Sequence, residues 1–145
     1  MDRAALRTAI DLGIRHGGWC PAGRLAEDGT IPAEFLLDET PSAEYPQRTE
    51  FNVRDSSATL LLYSGKLGGG TLLTGKLAER YQRPWLAVDL ADSDQAAAVQ
   101  RVRRWLVDCR PLTLNVAGPR ESGCPGIGSR AARFLKRVWC AEVAG

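Results

Sequence analysis

The sequence predicts an α/β fold, a parallel sheet with helices on both faces, and three observations predict it. Short apolar runs alternate with amphipathic segments along the whole 145-residue chain, the order that strand–helix–strand units impose. The runs ATLLLY, Ala58 to Tyr63, and WLAVDL, Trp85 to Leu90, are apolar almost throughout, as strands buried on both faces are. A glycine-rich stretch, SGKLGGGT at Ser64 to Thr71, joins the first of these runs to a helical segment. In open sheets of this kind ligands sit beyond the carboxyl ends of the strands.

Composition bounds the rest. The length fits one domain over residues 1–145, with 44% apolar and 25% charged residues, ordinary values for a soluble globular chain. No apolar run approaches the ~20 residues a membrane span needs, and MDRAALRTAI lacks the basic start and apolar core of a secretory signal. The expectation is a cytoplasmic protein with no membrane partner. Four cysteines, Cys20, Cys109, Cys124 and Cys140, show no C-x-x-C spacing, which argues against a zinc ribbon or a dithiol redox motif. No catalytic and no metal-ligating residue is assigned. The net charge of +2 is uneven, with +6 over residues 101–145 and −4 before them. A basic final third either attracts an anion or faces water. Nucleic acid is not expected, because the basic residues are not interleaved with aromatics on a groove-reading motif.

The elements follow in order. Asp2 to Leu12 reads as a helix with Leu6, Ala9 and Ile10 on one face and Gly13 as its stop; no strand precedes it. Ile14 to Pro21 suggests a short strand running into a loop that carries His16, Gly17, Gly18, Trp19, Cys20, Gly23, Arg24, Glu27 and Asp28. The lone His16 has no triad or two-His spacing beside it and reads as structural. Trp19 either stacks on a planar ring or covers a core edge. Glu27 to Tyr45 is a connector with an extended piece at Phe35 to Asp38. Pro41-Ser42 opens a helix reaching Asp55, on which Arg48, Asn52 and Asp55 form one stripe that lines a cleft or faces water. The strand Ala58 to Tyr63, the glycine loop and a helix to Tyr81 come next. After them are the strand Trp85 to Leu90 and a helix carrying Ala98, Val102, Trp105, Leu106 and Cys109. A strand at Leu112 to Ala117, the loop GPRESGCPGIG, and a final helix with Ile127, Ala131, Phe134, Leu135 and Val138 on one face complete the chain.

Three loops are expected to meet on one rim. They carry Gly17, Gly18, Trp19 and Arg24; then Gly68, Gly69, Gly70 and Thr71; then Gly118, Arg120, Glu121 and Ser122. Arg48, Asn52 and Asn115 join them from neighbouring elements. Backbone donors with arginines describe a site for a phosphorylated or oxyanionic small molecule. A glycine run between strand and helix brings amides close to a phosphate at the positive helix end, or makes a plain tight turn. Arg120 beside Gly-Pro is placed for a bidentate phosphate pair, or for a salt bridge to Glu121.

The segments DRAAL at Asp2, HGGWCPAGRLAEDG at His16, QRTEFNVRDS at Gln47, GGGT at Gly68, and LNVAGPRES with PGI from Leu114 onward resemble the bacterial and algal molybdenum-cofactor carrier proteins. The resemblance spans nearly the whole chain. It implies a Rossmann-like three-layer parallel sheet, related to the phosphoribohydrolases once described as lysine decarboxylases. It also implies a homo-oligomer that binds a phosphorylated molybdopterin for storage or transfer, with molybdoenzymes or cofactor-synthesis proteins as partners. In the relatives a strand and a Gly-Gly-Gln-Thr-Gly-Val-type loop precede DRAAL; here Met1 stands where the Val would be, so the first strand is expected to be missing. A valine codon read as initiator would account for it. The hydrolytic relatives place a glutamate three residues after the Thr of the glycine motif, where this chain has Thr74. An enzyme acting on a nucleoside monophosphate is therefore the alternative to the carrier.

Overall fold

The computed structural model describes residues 1–26, 29–42 and 44–144. Its elements are α1 (Asp2–Asp11), β1 (Trp19–Cys20), a 3₁₀ turn (Ala22–Arg24), β2 (Leu25–Ala26), β3 (Gly29–Thr30), β4 (Asp38–Glu39), α2 (Tyr45–Arg54), β5 (Ala58–Tyr63), α3 (Gly69–Arg80), β6 (Trp85–Asp89), α4 (Gln95–Cys109), β7 (Leu114–Ala117) and α5 (Ile127–Ala144).

The main sheet has the order β6-β5-β7, all parallel. Thr59 to Tyr63 pair with Trp85 to Asp89 on one side, and Ala58 to Leu61 with Leu114 to Ala117 on the other. As the central strand, β5 is fully buried from Ala58 to Leu62. Alternate side chains of a strand point to opposite faces, so Leu60 and Leu62 join Val88, Val99, Val102, Ile127 and Phe134 in the larger core. Val53, Leu77 and Ala78, packed against Tyr81 and Trp85, form a second cluster where α2 meets α3. α5 packs on both α1 and α4. The protein is thus an α/β fold with a parallel sheet between two helical layers, as its alternating pattern predicts.

Several boundaries differ, for local reasons. The strand expected at Ile14 to Pro21 shrinks to β1, which pairs in parallel with β4 and lies outside the main sheet. The Asn52 side chain takes the place of a neighbouring strand there: its Oδ1 accepts the Trp19 N–H at 2.8 Å and its Nδ2 donates to the Trp19 carbonyl at 3.2 Å. The extended piece expected at Phe35 to Asp38 is displaced to β4, and Phe35 instead is a buried anchor, 2% exposed. Helix α2 starts at Tyr45 because the turn before it is held by the Ser42 hydroxyl, which accepts the Glu44 N–H. β7 starts late because α4 ends on Arg110 in the left-handed region, φ 43°, and Leu112 projects into solvent. Glu27 and Asp28 lie outside the described residues.

β7 is one of the two edge strands of the main sheet. Its Thr113 neighbour accepts the Ser57 N–H from the β5 side, so by strand alternation the backbone groups of Leu114 and Val116 face the outer edge. A cavity of about 980 Å³ runs along that edge from Arg110 to Glu121, with residues of α1, α2 and α5 also in its walls. Among the described residues no strand pairs there. At the carboxyl end of β7, a side chain on Gly118 would collide with the Leu62 carbonyl and Met1 Cε, which makes glycine a packing requirement at this position. No helix among the described residues is long and apolar enough to cross a membrane.

Candidate functional site

Parallel strands put the carboxyl ends of β5, β6 and β7 on one edge, where α3, α4 and α5 begin. The first turn of each helix leaves backbone N–H groups without intrahelical acceptors and carries a partial positive charge. Two of the three helices satisfy this end with a carboxylate of their own. Asp94 caps α4 by accepting the Ala97 N–H at 3.0 Å. Glu121 closes α5 by accepting the Gly126 N–H at 2.5 Å and the Gly128 N–H at 3.3 Å.

Helix α3 is different. Its N-cap is Gly68, which has no side chain to offer, and no side chain caps it from elsewhere among the described residues. Positions that side chains on Gly68, Gly69 and Gly70 would occupy have no atom within 4 Å, and Gly69 has φ 56°, in the region that favours glycine. The glycine run therefore leaves open space over a positive helix end. The loop leading to it is fixed at its base by Asp89 of β6, whose Oδ1 accepts the Gly65 and Ala91 N–H groups, each at 2.8 Å.

Arg130, in the first turns of α5, reaches this loop. It donates from Nη1 to Ser64 Oγ at 3.0 Å and from Nη2 to Cys124 Sγ at 3.6 Å. The sequence reading missed Arg130 and favoured Arg120. The available signal was its place just after a Gly/Pro-rich strand-exit loop, which carries the N-terminal side of a helix back over the sheet edge.

The remaining predicted residues divide. Gly17, Gly18, Trp19, Arg48, Asn52, Asn115, Gly118, Arg120 and Glu121 all contribute to the cavity beside β7. Gly68, Gly69, Gly70, Thr71, Arg24 and Ser122 do not line it. The first loop shares this cavity with the loop after β7. It is tied to the last turn of α2, which leads into the amino end of β5. There the Trp19 indole N–H donates to Asp55 Oδ2 at 2.7 Å, and its ring meets Phe51 edge-on at 5.1 Å. Gly18 is needed for this approach, since an added Cβ would stand 3.0 Å from Asn52 Oδ1. Hydrogen bonds from Arg54, and secondarily from Trp19, hold the Asp55 carboxyl below its ordinary range.

Other polar residues have architectural partners. The Arg24 guanidinium donates to the backbone carbonyls of Ile31, Pro32, Phe35 and Leu37. His16 Nε2 accepts the Leu36 N–H at 3.1 Å. Asn115 donates across the sheet to Thr59 Oγ1 at 3.3 Å. Cys20 is buried, and burial pushes its thiol up. Thr71 and Thr74 are both buried, and the Thr74 hydroxyl donates to the Gly70 carbonyl at 2.9 Å. Among the described residues no group of His, Cys, Asp and Glu is arranged to hold a metal ion.

A parallel α/β sheet with an open glycine turn at its carboxyl edge defines a Rossmann-like protein with a rim suited to anions. The chain belongs to the circularly permutated YpsA SLOG family, which it matches over residues 1–139. It is also similar to a crystal structure from Syntrophus aciditrophicus SB named "Putative molybdenum carrier protein". The two are 41% identical, the match covers 95% of this chain and 87% of that one, and the TM-score is 0.92. No curated protein matches.

Proposed function

We propose that the protein is a molybdenum-cofactor carrier that holds a phosphorylated molybdopterin by its phosphate at the start of α3, for storage or for transfer to molybdoenzymes or cofactor-synthesis proteins. One observation carries the phosphate assignment: of the three helices that begin at the rim, α3 alone starts on glycines with open space above them, while α4 and α5 are closed by Asp94 and Glu121. The likeness to the crystal structure named "Putative molybdenum carrier protein" supports molybdenum as the cargo. Cleavage of an N-glycosidic bond needs a carboxylate to stabilise an oxocarbenium-like centre. At the corresponding place this chain presents Thr74, its hydroxyl turned onto the Gly70 carbonyl, which favours carriage over turnover.

The test is the ligand itself. Protein purified without oxygen is expected to carry a phosphorylated pterin and molybdenum in stoichiometric amounts, read by mass spectrometry and metal analysis. Steady conversion of a nucleoside monophosphate, or a co-purified nucleotide without molybdenum, would overturn the carrier reading.

A further inference from the structure

We infer that Arg130 is the cation that grips the anion at the glycine loop, and that it makes the site select a tetrahedral oxyanion of the phosphate class over a carboxylate. The inference rests on reading the start of α3 as an anion site. Arg130 is half-buried, yet both its hydrogen bonds go to neutral groups, the Ser64 hydroxyl and the Cys124 thiol. Among the described residues no carboxylate pairs with it. Two acids at the same sheet edge are engaged elsewhere: Glu121 on the amides of Gly126 and Gly128, and Asp89 on those of Gly65 and Ala91. A guanidinium partly withdrawn from water without a counter-ion is costly, and an anionic guest relieves that cost.

The geometry also sets the class of guest. Ser64 is the first residue after β5 and begins the loop that ends at Gly68. By holding the Ser64 hydroxyl, Arg130 stands on one side of that loop while the uncapped amides of α3 stand at its far end. Its donors beyond the two already used form part of a rigid fork suited to two oxygens of one anion. A tetrahedral phosphate offers oxygens to the fork and to the helix amides together. A carboxylate has two oxygens in one plane and satisfies one set or the other.

The probe is inorganic phosphate, titrated by calorimetry into the full chain, with acetate as the carboxylate control. Arg130→Gln is expected to weaken phosphate binding by about 10- to 100-fold, the range for loss of a charge-assisted contact, and to abolish the preference over acetate. Arg130→Lys, which keeps the charge without the fork, should recover part of the loss. Arg120, exposed in the wall of the cavity beside β7, serves as the control, and Arg120→Ala should change phosphate affinity by less than about 3-fold. Thermal melts establish that each variant folds; if Arg130→Gln does not, Arg130→Lys and Ser64→Ala carry the test, both being expected to weaken phosphate. A folded Arg130→Gln protein that binds phosphate as the wild type does overturns the role of Arg130 and leaves the glycine loop standing. Phosphate binding that survives both Arg130→Gln and Gly70→Leu overturns the loop reading as well. A wild-type protein that carries the pterin but shows no preference for phosphate over acetate overturns the selectivity.

Discussion

Helices α3 and α5 start at the same sheet edge, after strands paired to each other, and differ in what faces their first turn. At α5 the chain supplies a carboxylate, and Glu121 occupies the place an anion would take. At α3 it supplies only Gly68, Gly69 and Gly70, with space above them. Glycine inside a helix costs about 1 kcal/mol relative to alanine, and a glycine N-cap forgoes a few tenths of a kcal/mol more than a capping side chain would supply. Helix α3 therefore gives up stability that α5 retains. The reason consistent with the rim is access: a guest can reach the amides of α3, whereas those of α5 are already taken.

Exchanging the two ends tests that contrast. The largest effect is expected from Gly68→Asp, which gives α3 the kind of cap that α5 has. Stability should be unchanged or rise by a few tenths of a kcal/mol, while phosphate affinity falls by about 100-fold through occupation of the site and like-charge repulsion. Calorimetry with phosphate, beside a thermal melt, reads both. Unchanged affinity in a protein of undiminished stability would mean that α3 is not the anion site. Gly70→Leu is a milder version, since an added Cβ there meets nothing within 4 Å; it should lower affinity at equal or greater stability. The reverse exchange, Glu121→Ala, should cost about 1–2 kcal/mol of folding stability and leave phosphate binding at α3 within about 3-fold, the small change expected at an unlinked site. A large loss of affinity there would make Glu121 part of the binding site rather than a cap.

The sequence shows the layers of this fold clearly and the site less so. β5 is legible because a strand buried on both faces has to be apolar at every position, as Ala58 to Leu62 are or nearly are, and β6 is legible from its apolar run although only Val88 of it is fully buried. The glycine run is legible because few other residues could sit at Gly69 with φ 56°. The polar stripe on α2 does line a cleft, since Arg48, Asn52 and Asp55 all stand in the cavity beside β7. What the stripe hides is that the Asn52 amide also bonds the Trp19 backbone, a pairing 33 residues distant that periodicity does not reveal. Glu121 is picked out by the sequence as a polar group of the third rim loop; that its carboxylate closes the start of α5 becomes visible only once the loop has folded. Arg130 was invisible for the opposite reason, since its value lies in reaching Ser64, 66 residues away in sequence.

The smallest expected effect concerns a third carboxylate, Asp55 at the end of α2, which like Glu121 is turned onto the protein's own donors. It accepts from Arg54 and from the Trp19 indole, and these bonds hold its carboxyl below the ordinary value of 3.8. A carboxyl with a lowered folded pKa contributes stability that is fully present above the unfolded value and is lost as pH falls through the folded one. The contribution is therefore complete at pH 7 and disappears in the acid range below 3.8. Because the Asp55 side chain is 44% exposed, its size should be under about 1 kcal/mol. Melting wild type and Asp55→Asn at neutral pH and again in the acid range reads it directly: the variant should melt lower at neutral pH, and the two should converge in acid. A gap that persists in acid would mean that Asp55 acts through shape alone. In that case the first loop would be held to α2 by the Asn52 amide, with no share from charge, and the carboxylates would not form one class of internal clamps.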